Sequence, residues 1–282
     1  MKTVRLNDGT VIPALGQGTW EMGEDPVKHD QELAALRYGI EHGMTLIDTA
    51  EMYGEGRSEQ LVGEAIRGYD RSKLYLVSKV YPWNAGREHI FTSCEQSLKR
   101  LGTNYLDLYL LHWRGDIPLQ ETVSCMEELV QQGLIRHWGV SNFDVSDMEE
   151  LIAAGGSNCV TDQVLYHLGS RGVEYDLVPW LKKHGMLTMS YSPLVRTVEL
   201  RKRIVTHPAV KKVARDHQIT ETQVMLAFLI HDPTVFAVPK ASTIEHVKMN
   251  CAVLDVELSE SEYALLSDAF PVPDHKVELD MF

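Results

Sequence analysis

Four residues of this sequence have side chains that together could move a proton to or from a carbonyl oxygen. They are Asp48, Tyr53, Lys79 and His112, and each lies at or just beyond the end of a short apolar run. The carboxyl ends of parallel strands meet at one edge of a sheet or one mouth of a barrel. We therefore expect the acid, the phenol, the amine and the imidazole to share one site, and the sequence predicts an enzyme.

The chemistry that suits this set is the reduction of a carbonyl group, in which a developing alkoxide takes up a proton as hydride arrives. A tyrosine with a pKa of about 10 is a weak donor at neutral pH. An ammonium group at ~4 Å, such as that of Lys79, would lower this pKa by a unit or more. Asp48 would keep Lys79 charged, and His112 would orient the carbonyl or share in the proton transfer.

A repeated strand and helix pattern predicts how these residues are positioned. Short apolar runs alternate with helical stripes, at intervals close to the length of one strand and helix unit. The runs end near eight positions: Thr19, Asp48, Lys79, His112, Ser141, Gln163, Tyr191 and Lys240. The last interval is longer and holds an additional helical segment. Eight such units predict an α/β fold, a (β/α)8 TIM barrel with its helices outside.

The two ends of the chain extend this barrel. Asn7, Asp8 and Gly9 separate two short strand-like runs and predict an N-terminal β-hairpin. Residues 257–268 predict an extra C-terminal helix with Ser259 as its N-cap. The short tail from Pro271 to Phe282 either covers one barrel mouth or frays. No linker divides the chain, so we expect residues 1–282 to form a single domain.

Composition excludes several other classes of protein. The chain has 282 residues, 44% of them hydrophobic, and a net charge of -13, which argues against a nucleic-acid or membrane-surface role. The N-terminus is too polar for a signal peptide, and no apolar run could span a bilayer. We therefore predict a cytoplasmic protein. Neither an edge strand nor a heptad pattern argues for assembly, so a monomer is expected. The four cysteines lack metal-ligand spacing and are read as reduced, buried thiols: Cys94, Cys125, Cys159 and Cys251.

The source of the hydride is not a doubly wound dinucleotide domain, because the pairs Gly16/Gly18 and Gly54/Gly56 both lack the third glycine of that fingerprint. Lys240, Ser242 and Thr243 follow an apolar strand and open a helix, which is either a phosphate site or a plain Ser/Thr helix cap. Tyr191 ends another strand and could present an aromatic face for ring stacking. Ser141 with Asn142, and Gln163, end two neighbouring strands and could bind a carboxamide, with capping and hydrogen bonding at the barrel mouth as their other reading.

These motifs together resemble the aldo-keto reductases over nearly the whole chain. The matching segments are residues 16–20 (GQGTW), 46–54 (LIDTAEMYG), 78–80 (SKV), 107–113 (DLYLLHW), 139–143 (GVSNF) and 239–240 (PK). The resemblance implies a (β/α)8 barrel that binds NADPH directly. It also implies Tyr53 as the general acid, Lys79 and Asp48 tuning it, and His112 helping to orient the carbonyl.

The same resemblance implies where the cofactor lies. Tyr191 would stack on the nicotinamide ring, and Ser141, Asn142 and Gln163 would hold its amide. Ser192 and Leu194 would contact the pyrophosphate. Further cofactor positions would be Gly18, Thr19, Trp20, Lys240, Ser242, Thr243, His246 and Asn250. Family members commonly carry arginine at the position of His246, so the preference for NADPH over NADH is expected to be softened. The basic run Arg201–Arg203 either covers the pyrophosphate or is a solvated helix face.

The substrate expectation is a small aldehyde or 2-oxoaldehyde. Trp20, Trp83 and Trp113 would line the pocket, and residues 80–84 and 166–172 look like those of bacterial aldo-keto reductases that reduce methylglyoxal. Two alternatives remain open from the residues alone. One is a Schiff-base aldolase that uses Lys79, and the other is a non-catalytic sensor barrel that binds NADPH.

Overall fold

Eight parallel strands form the central sheet of the protein, for which a computed structural model describes residues 2–281. The strands follow one another in sequence order across the sheet, with no exchange of neighbours. They are β3 (Gln17–Gly18), β4 (Leu46–Asp48), β5 (Tyr75–Val80), β6 (Leu106–Leu111), β7 (Ile135–Ser141), β8 (Thr161–Leu165), β9 (Leu187–Tyr191) and β10 (Val235–Ala237). All eight lie where the apolar runs predicted them.

The sheet closes into a barrel between its first and last strands. Gly18 forms a parallel bridge with Lys240, and Leu15 forms another with Ala237. The backbone N–H of Gly16 donates to the carbonyl of Ala237 at 2.8 Å. These bonds satisfy the backbone groups that an open edge would leave unpaired. The predicted (β/α)8 barrel is confirmed.

Helices cover the outside of the barrel and alternate with the strands. Six of them each connect two successive strands: α1 (His29–Glu41), α2 (Arg57–Ala65), α3 (Ile90–Leu101), α4 (Leu119–Gln131), α5 (Val145–Ala153) and α6 (Leu177–Lys183). The long interval before β10 holds three helices, namely α7 (Val198–Val205), α8 (Pro208–His217) and α9 (Glu221–Leu229). It therefore contains one more helix than the sequence pattern predicted. Proline at the first position of α8, with His207 as its cap, starts this extra helix separately from α7.

The N-terminal hairpin lies at the end of the barrel opposite to the carboxyl ends of the eight parallel strands. Its strands are β1 (Thr3–Arg5) and β2 (Val11–Pro13), paired antiparallel. Gly9 has a φ of 91°, a left-handed conformation that favours glycine in the connecting turn. Asp8 accepts a hydrogen bond at 2.8 Å from His137, near the start of β7. The predicted hairpin is confirmed and packs on the closed base of the barrel.

The C-terminal segment consists of α10 (Ile244–Ala252), α11 (Glu260–Ala269) and an irregular tail. Ser259 caps α11, as the sequence predicted. In the tail, Lys276 pairs with Asp144 and with Asp176, and Met281 reaches the cleft described below. The sequence left open whether the tail covers a barrel mouth or frays, and in the structure it covers part of one mouth. Met1 and Phe282, which belong to segments considered above, lie outside the described residues.

The core lies inside the barrel and between the barrel and its helices. Every residue of β5 and of β6 is buried, as expected for strands covered on both faces. Within residues 2–281, no helix combines the length and apolar character that crossing a membrane would require.

Candidate active site

The four side chains that opened the sequence analysis meet at the carboxyl ends of three neighbouring strands. Asp48 is the last residue of β4, Lys79 lies near the end of β5, and His112 directly follows β6. Tyr53 lies in the turn after β4. All four are buried, and Lys79 has no exposed surface at all. The barrel thus brings together residues that are far apart in the chain.

Lys79 is the centre of this group, because its ammonium nitrogen donates three hydrogen bonds. Its Nζ donates to Oδ2 of Asp48, to the hydroxyl oxygen of Tyr53 and to the carbonyl of Thr49, each at 2.9 Å. An ammonium group has three hydrogens, so these bonds use its full capacity. The ring of His112 lies edge-on to that of Tyr53, with 5.7 Å between the ring centroids.

The pKa of Tyr53 departs from the sequence-based expectation. Lys79 was expected to lower it, but burial and the negative charge of Asp48 raise the pKa of this phenol well above its ordinary value. Burial disfavours the phenolate more strongly than the neighbouring ammonium favours it. Tyr53 is therefore held as a protonated phenol at neutral pH, with a cation against its oxygen.

The pKa values of Lys79 and His112 also reflect burial. Burial lowers the pKa of Lys79, while its charge and hydrogen-bond contacts with Asp48 oppose that shift. Burial, and then the charge of Lys79, lower the pKa of His112 well below its ordinary value. The imidazole is therefore neutral at neutral pH and carries a single N–H donor.

A left-handed turn carries Tyr53 to this position. The residues that follow it, Gly54, Glu55 and Gly56, have φ values of 57°, 56° and 86°. Three successive left-handed residues are unusual, and the one that is not glycine is strained. The turn reverses the chain between β4 and α2 and points the phenol back towards Lys79.

A cleft of about 910 Å³ opens directly above these residues. Asp48, Tyr53 and His112 form part of its floor, whereas Lys79 lies beneath them and does not line it. Twelve of the fourteen predicted cofactor residues line the cleft: Gly18, Thr19, Trp20, Ser141, Asn142, Gln163, Tyr191, Ser192, Leu194, Lys240, His246 and Asn250. The structure thus brings most of the predicted cofactor residues into one continuous site.

Ser242 and Thr243 are the two predicted cofactor residues that do not line this cleft. The hydroxyl oxygen of Thr243 accepts from the backbone N–H of His246 at 3.2 Å and caps α10. The carbonyl of Ser242 accepts from the side chain of Gln31 at 2.9 Å. For Thr243, the helix cap was one of the two readings left open by the sequence, and it is the one that the structure shows.

An amide-rich corner faces the ring of Tyr191. The hydroxyl of Tyr191 donates to Oδ1 of Asn142 at 2.9 Å, and Nδ2 of Asn142 donates to Oγ of Ser141 at 3.1 Å. Asn142 has a φ of 60°. Asparagine adopts this left-handed conformation more often than most residues other than glycine. Gln163 completes the corner and links it to the group around Lys79, since its Nε2 donates to Oδ1 of Asp48 at 3.0 Å.

The contact between Gln163 and Asp48 was missed by the sequence analysis. The two residues are 115 positions apart, and nothing local in either segment indicates the bond. It follows only from the closed barrel, in which the ends of β4 and β8 face each other across the interior. The sequence also showed no sign of the ion pair between Arg196 and Glu21, which line the cleft from different loops and lie 3.8 Å apart.

The tryptophans do not all lie where the sequence predicted. Trp20 and Trp113 line the cleft, and Trp20 packs edge-on against Tyr53 at 4.9 Å. Trp83 is not among the lining residues; its indole is 58% exposed and stacks on Tyr81 at 4.3 Å. Trp83 instead packs edge-on against Trp113, which does line the cleft. The prediction that Trp83 lines the pocket is therefore corrected.

One residue of the basic run of α7 lines the cleft, and the other two do not. Arg201 lines the cleft, and its guanidinium donates to the carbonyl of Leu194 at 2.9 Å and to that of Val195 at 2.6 Å. Lys202 and Arg203 are exposed on the helix and do not line the cleft. Val195 has a φ of 62°, a strained conformation for a β-branched residue, and Arg201 holds its carbonyl in place.

A parallel barrel with acid, amine, phenol and imidazole side chains at one mouth has the architecture of a barrel enzyme. Residues 14–269 match the family model described as the aldo/keto reductase family. The chain therefore belongs to the aldo-keto reductases, as its motifs predicted.

Similar proteins support this assignment over the full length. Methylglyoxal reductase YeaE of Escherichia coli (strain K12) is 54% identical over 281 residues, covering 99% of each chain. Methylglyoxal reductase DkgB of Salmonella typhi is 32% identical, covering 89% of this chain and 90% of its own. A crystal structure of an aldo/keto reductase from Klebsiella pneumoniae in complex with NADP and acetate superposes with a TM-score of 0.95 at 53% identity, covering 100% of this chain and 99% of that one.

Proposed function

We propose that this protein uses NADPH to reduce small aldehydes and 2-oxoaldehydes, with methylglyoxal as the type substrate. The observation that carries the proposal is the contact of the Lys79 ammonium with both Asp48 and the Tyr53 hydroxyl on the floor of the cleft. The names of the two methylglyoxal reductases described above support the substrate class. Apolar walls from Trp20, Trp113 and Met281 suit a small carbonyl compound.

The residues of the cleft fit NADPH. The buried Nδ2 of Asn250, at one end of the cleft, has no hydrogen-bond partner within the described chain, so a donor is available for a ligand there. Lys240 and Arg201 would face the phosphates. The corner formed by Ser141, Asn142 and Gln163 would hold the carboxamide, with the ring against Tyr191. When bound, the nicotinamide would supply the hydride to the carbonyl carbon.

Tyr53 would give the carbonyl oxygen its proton. The raised pKa keeps this phenol protonated until negative charge develops on the substrate oxygen. As the O–H bond breaks, the new phenolate oxygen would lie against the ammonium of Lys79, which stabilises it. His112, held neutral, would donate its N–H to the same substrate oxygen and orient the carbonyl. The products would be the alcohol, the oxidised cofactor and a Tyr53 phenolate, which would take a proton back from solvent.

The cofactor preference would be for NADPH, with NADH used less efficiently. Lys240 and His246 both line the end of the cleft where the 2′-phosphate is expected. An imidazole side chain supplies less positive charge than the guanidinium of the arginine common in the family. We therefore expect measurable turnover with NADH at a higher KM.

The aldolase alternative is disfavoured by the geometry of Lys79. Its amine is fully buried, donates to three oxygens and does not line the cleft. A Schiff base needs an accessible, unprotonated amine. The non-catalytic sensor is tested directly by turnover.

A steady-state assay with Tyr53→Phe tests the proposed function. The wild-type protein should oxidise NADPH in the presence of methylglyoxal or 4-nitrobenzaldehyde, measured by the loss of NADPH absorbance. The variant should lose about 10³-fold in kcat, because the proton donor is removed, while the Kd for NADPH stays within about twofold of wild type. Binding of NADPH by the wild type without turnover of any aldehyde would favour the sensor.

A further inference from the structure

A buried carboxylate, that of Glu59, lies behind the proposed catalytic group and takes no part in the proton transfer described above. Glu59 lies on α2 and has no exposed surface. Its Oε1 accepts from the hydroxyl of Ser78 at 2.6 Å, and its Oε2 accepts from Nε of Arg100 at 2.5 Å. A buried carboxylate is costly unless it is paired, and the pairing here joins α2, β5 and α3.

The bond to Ser78 fixes the strand that carries Lys79. Side chains alternate between the two faces of a strand. Lys79 points into the barrel, and its neighbour Ser78 points out towards the helices, where it meets Glu59. Any shift of β5 relative to α2 would therefore have to break this bond.

The bond to Arg100 supports the turn that carries Tyr53. Gly56, the last residue of the left-handed turn, packs so closely on Arg100 that a Cβ built on it would lie 2.6 Å from Cδ of that arginine. Gly56 directly precedes α2, and Glu59 lies in the first turn of that helix. A strained turn persists only where its surroundings hold it, and the Arg100 guanidinium held by Glu59 is part of those surroundings.

The negative charge of Glu59, like its hydrogen bonds, supports the arrangement around Lys79. Together with Asp48, it favours the protonated form of Lys79 and so opposes the fall in the pKa of Lys79 that burial causes. Several elements contribute the other charged and titratable groups around Glu59 and Lys79. These groups are Arg100 and Cys94 from α3, Tyr109 from β6, Glu51 from the loop after β4, and Tyr53 and His112 beside Lys79.

We propose that Glu59 is a positioning residue of the reaction. Through Arg100 and Ser78 it holds the Tyr53 turn and the Lys79 strand in the arrangement that places the phenol against the ammonium. It also keeps a second negative charge near Lys79. This inference rests on the proposed function, because it concerns the same proton transfer.

The test is Glu59→Gln, measured as holoenzyme with NADPH and methylglyoxal across the neutral and alkaline pH range. We expect kcat to fall about tenfold with the Kd for NADPH and the KM for methylglyoxal nearly unchanged, which is the pattern of an interaction needed only in the transition state. Removal of the carboxylate also lowers the pKa of Lys79. The alkaline limb of the kcat profile, which requires protonated Lys79, should therefore move to lower pH.

Asp107→Asn is the matched control. Asp107 is also a buried carboxylate paired with arginine, 2.7 Å from Arg71, but it lies at the start of β6, at the far end of the barrel. This variant should lower Tm and leave the pH profile of kcat unchanged. If Glu59→Gln behaves in the same way, Glu59 is only a structural brace and the inference is overturned.

Ser78→Ala keeps the test decisive if Glu59→Gln does not fold. This variant retains the carboxylate of Glu59 and removes its hydrogen bond to β5. We expect kcat to fall about threefold, a small effect typical of one lost hydrogen bond. The alkaline limb of the kcat profile should not move, because the negative charge remains. An unchanged kcat would overturn the positioning role. Absence of turnover by the wild type would instead remove the proposed function, and this inference with it.

Discussion

Lys79 ends in an ammonium group whose three hydrogens all have acceptors in this structure. The pairing with Asp48 and Tyr53 was predictable from residue types at strand ends. The carbonyl of Thr49 was not, because a backbone acceptor leaves no mark in the sequence. Nor was the direction of the Tyr53 pKa, which is raised because burial outweighs the neighbouring charge. Residue types indicated the chemistry, and burial decided the protonation states.

His167 makes stability depend on pH, because burial lowers the pKa of this side chain to about 4. Its Nδ1 accepts from the backbone N–H of Gly169 at 3.1 Å, which requires the neutral ring. The unfolded chain takes up this proton near pH ~6.5 and the folded protein only below the depressed pKa, so stability should be lost as pH falls between those values.

We expect this one histidine to account for up to about 3 kcal/mol of that loss. Urea unfolding at neutral pH and in the acid range measures it, with His167→Asn as the comparison. The variant should lose less stability on acidification than the wild type. Equal losses would show that other groups, such as the buried His112, dominate the acid response.

At the scale of elements, the turn between β4 and α2 places Tyr53, the proposed proton donor, against Lys79. Two glycines in this turn were visible in the sequence, where they were considered as an incomplete dinucleotide fingerprint and Gly54 also as part of a family motif. Their structural reason is backbone conformation: Gly54 and Gly56 have φ values of 57° and 86°. The contact with Arg100 on α3, which the turn also needs, lies beyond any local pattern.

Gly56→Ala should damage both stability and catalysis. A left-handed alanine costs about 1 kcal/mol, and the new Cβ would lie 2.6 Å from Cδ of Arg100. We expect a loss of about 2 kcal/mol in the free energy of unfolding and a fall in kcat as Tyr53 moves away from Lys79. Denaturant unfolding and steady-state kinetics measure the two effects.

Gly68→Ala is the matched control for this change. Gly68 has a φ of 93°, and a Cβ added there would meet nothing within 4 Å. Its cost should be limited to backbone strain, and kcat should not change. If Gly56→Ala costs no more than Gly68→Ala and leaves kcat intact, Arg100 does not support the turn.

At the scale of the whole molecule, the C-terminal tail completes the cleft from outside the barrel. Lys276 pairs with Asp144 on one side and with Asp176 at 2.8 Å on the other, and Met281 lines the cleft. Arg171 anchors the helix before the tail by donating to the carbonyl of Phe270 at 2.7 Å. The tail therefore crosses the loops after two barrel strands.

Lys276→Gln should loosen the tail without unfolding the barrel. Exposed ion pairs contribute little, so we expect a loss of about 1 kcal/mol or less in the free energy of unfolding. The KM for methylglyoxal should rise as Met281 leaves the cleft wall, while the Kd for NADPH stays unchanged. Kinetics with Lys248→Gln, a change on α10 away from the tail, serve as the control. An unchanged KM in Lys276→Gln would show that the tail does not shape the substrate site.

The sequence by itself predicted the barrel and the four residues of the candidate site, because strand periodicity and strand-end residue types are local properties, and its motifs indicated the family. Strand ends and the family resemblance together also indicated most of the cleft lining, although His246 and Asn250 lie on α10 and Met281 lies in the tail. Only the tertiary structure decided which groups touch: Gln163 on Asp48, Glu59 between Ser78 and Arg100, and Trp83 behind Trp113. These contacts join residues from different strands and helices, and barrel closure and burial set their distances and charges.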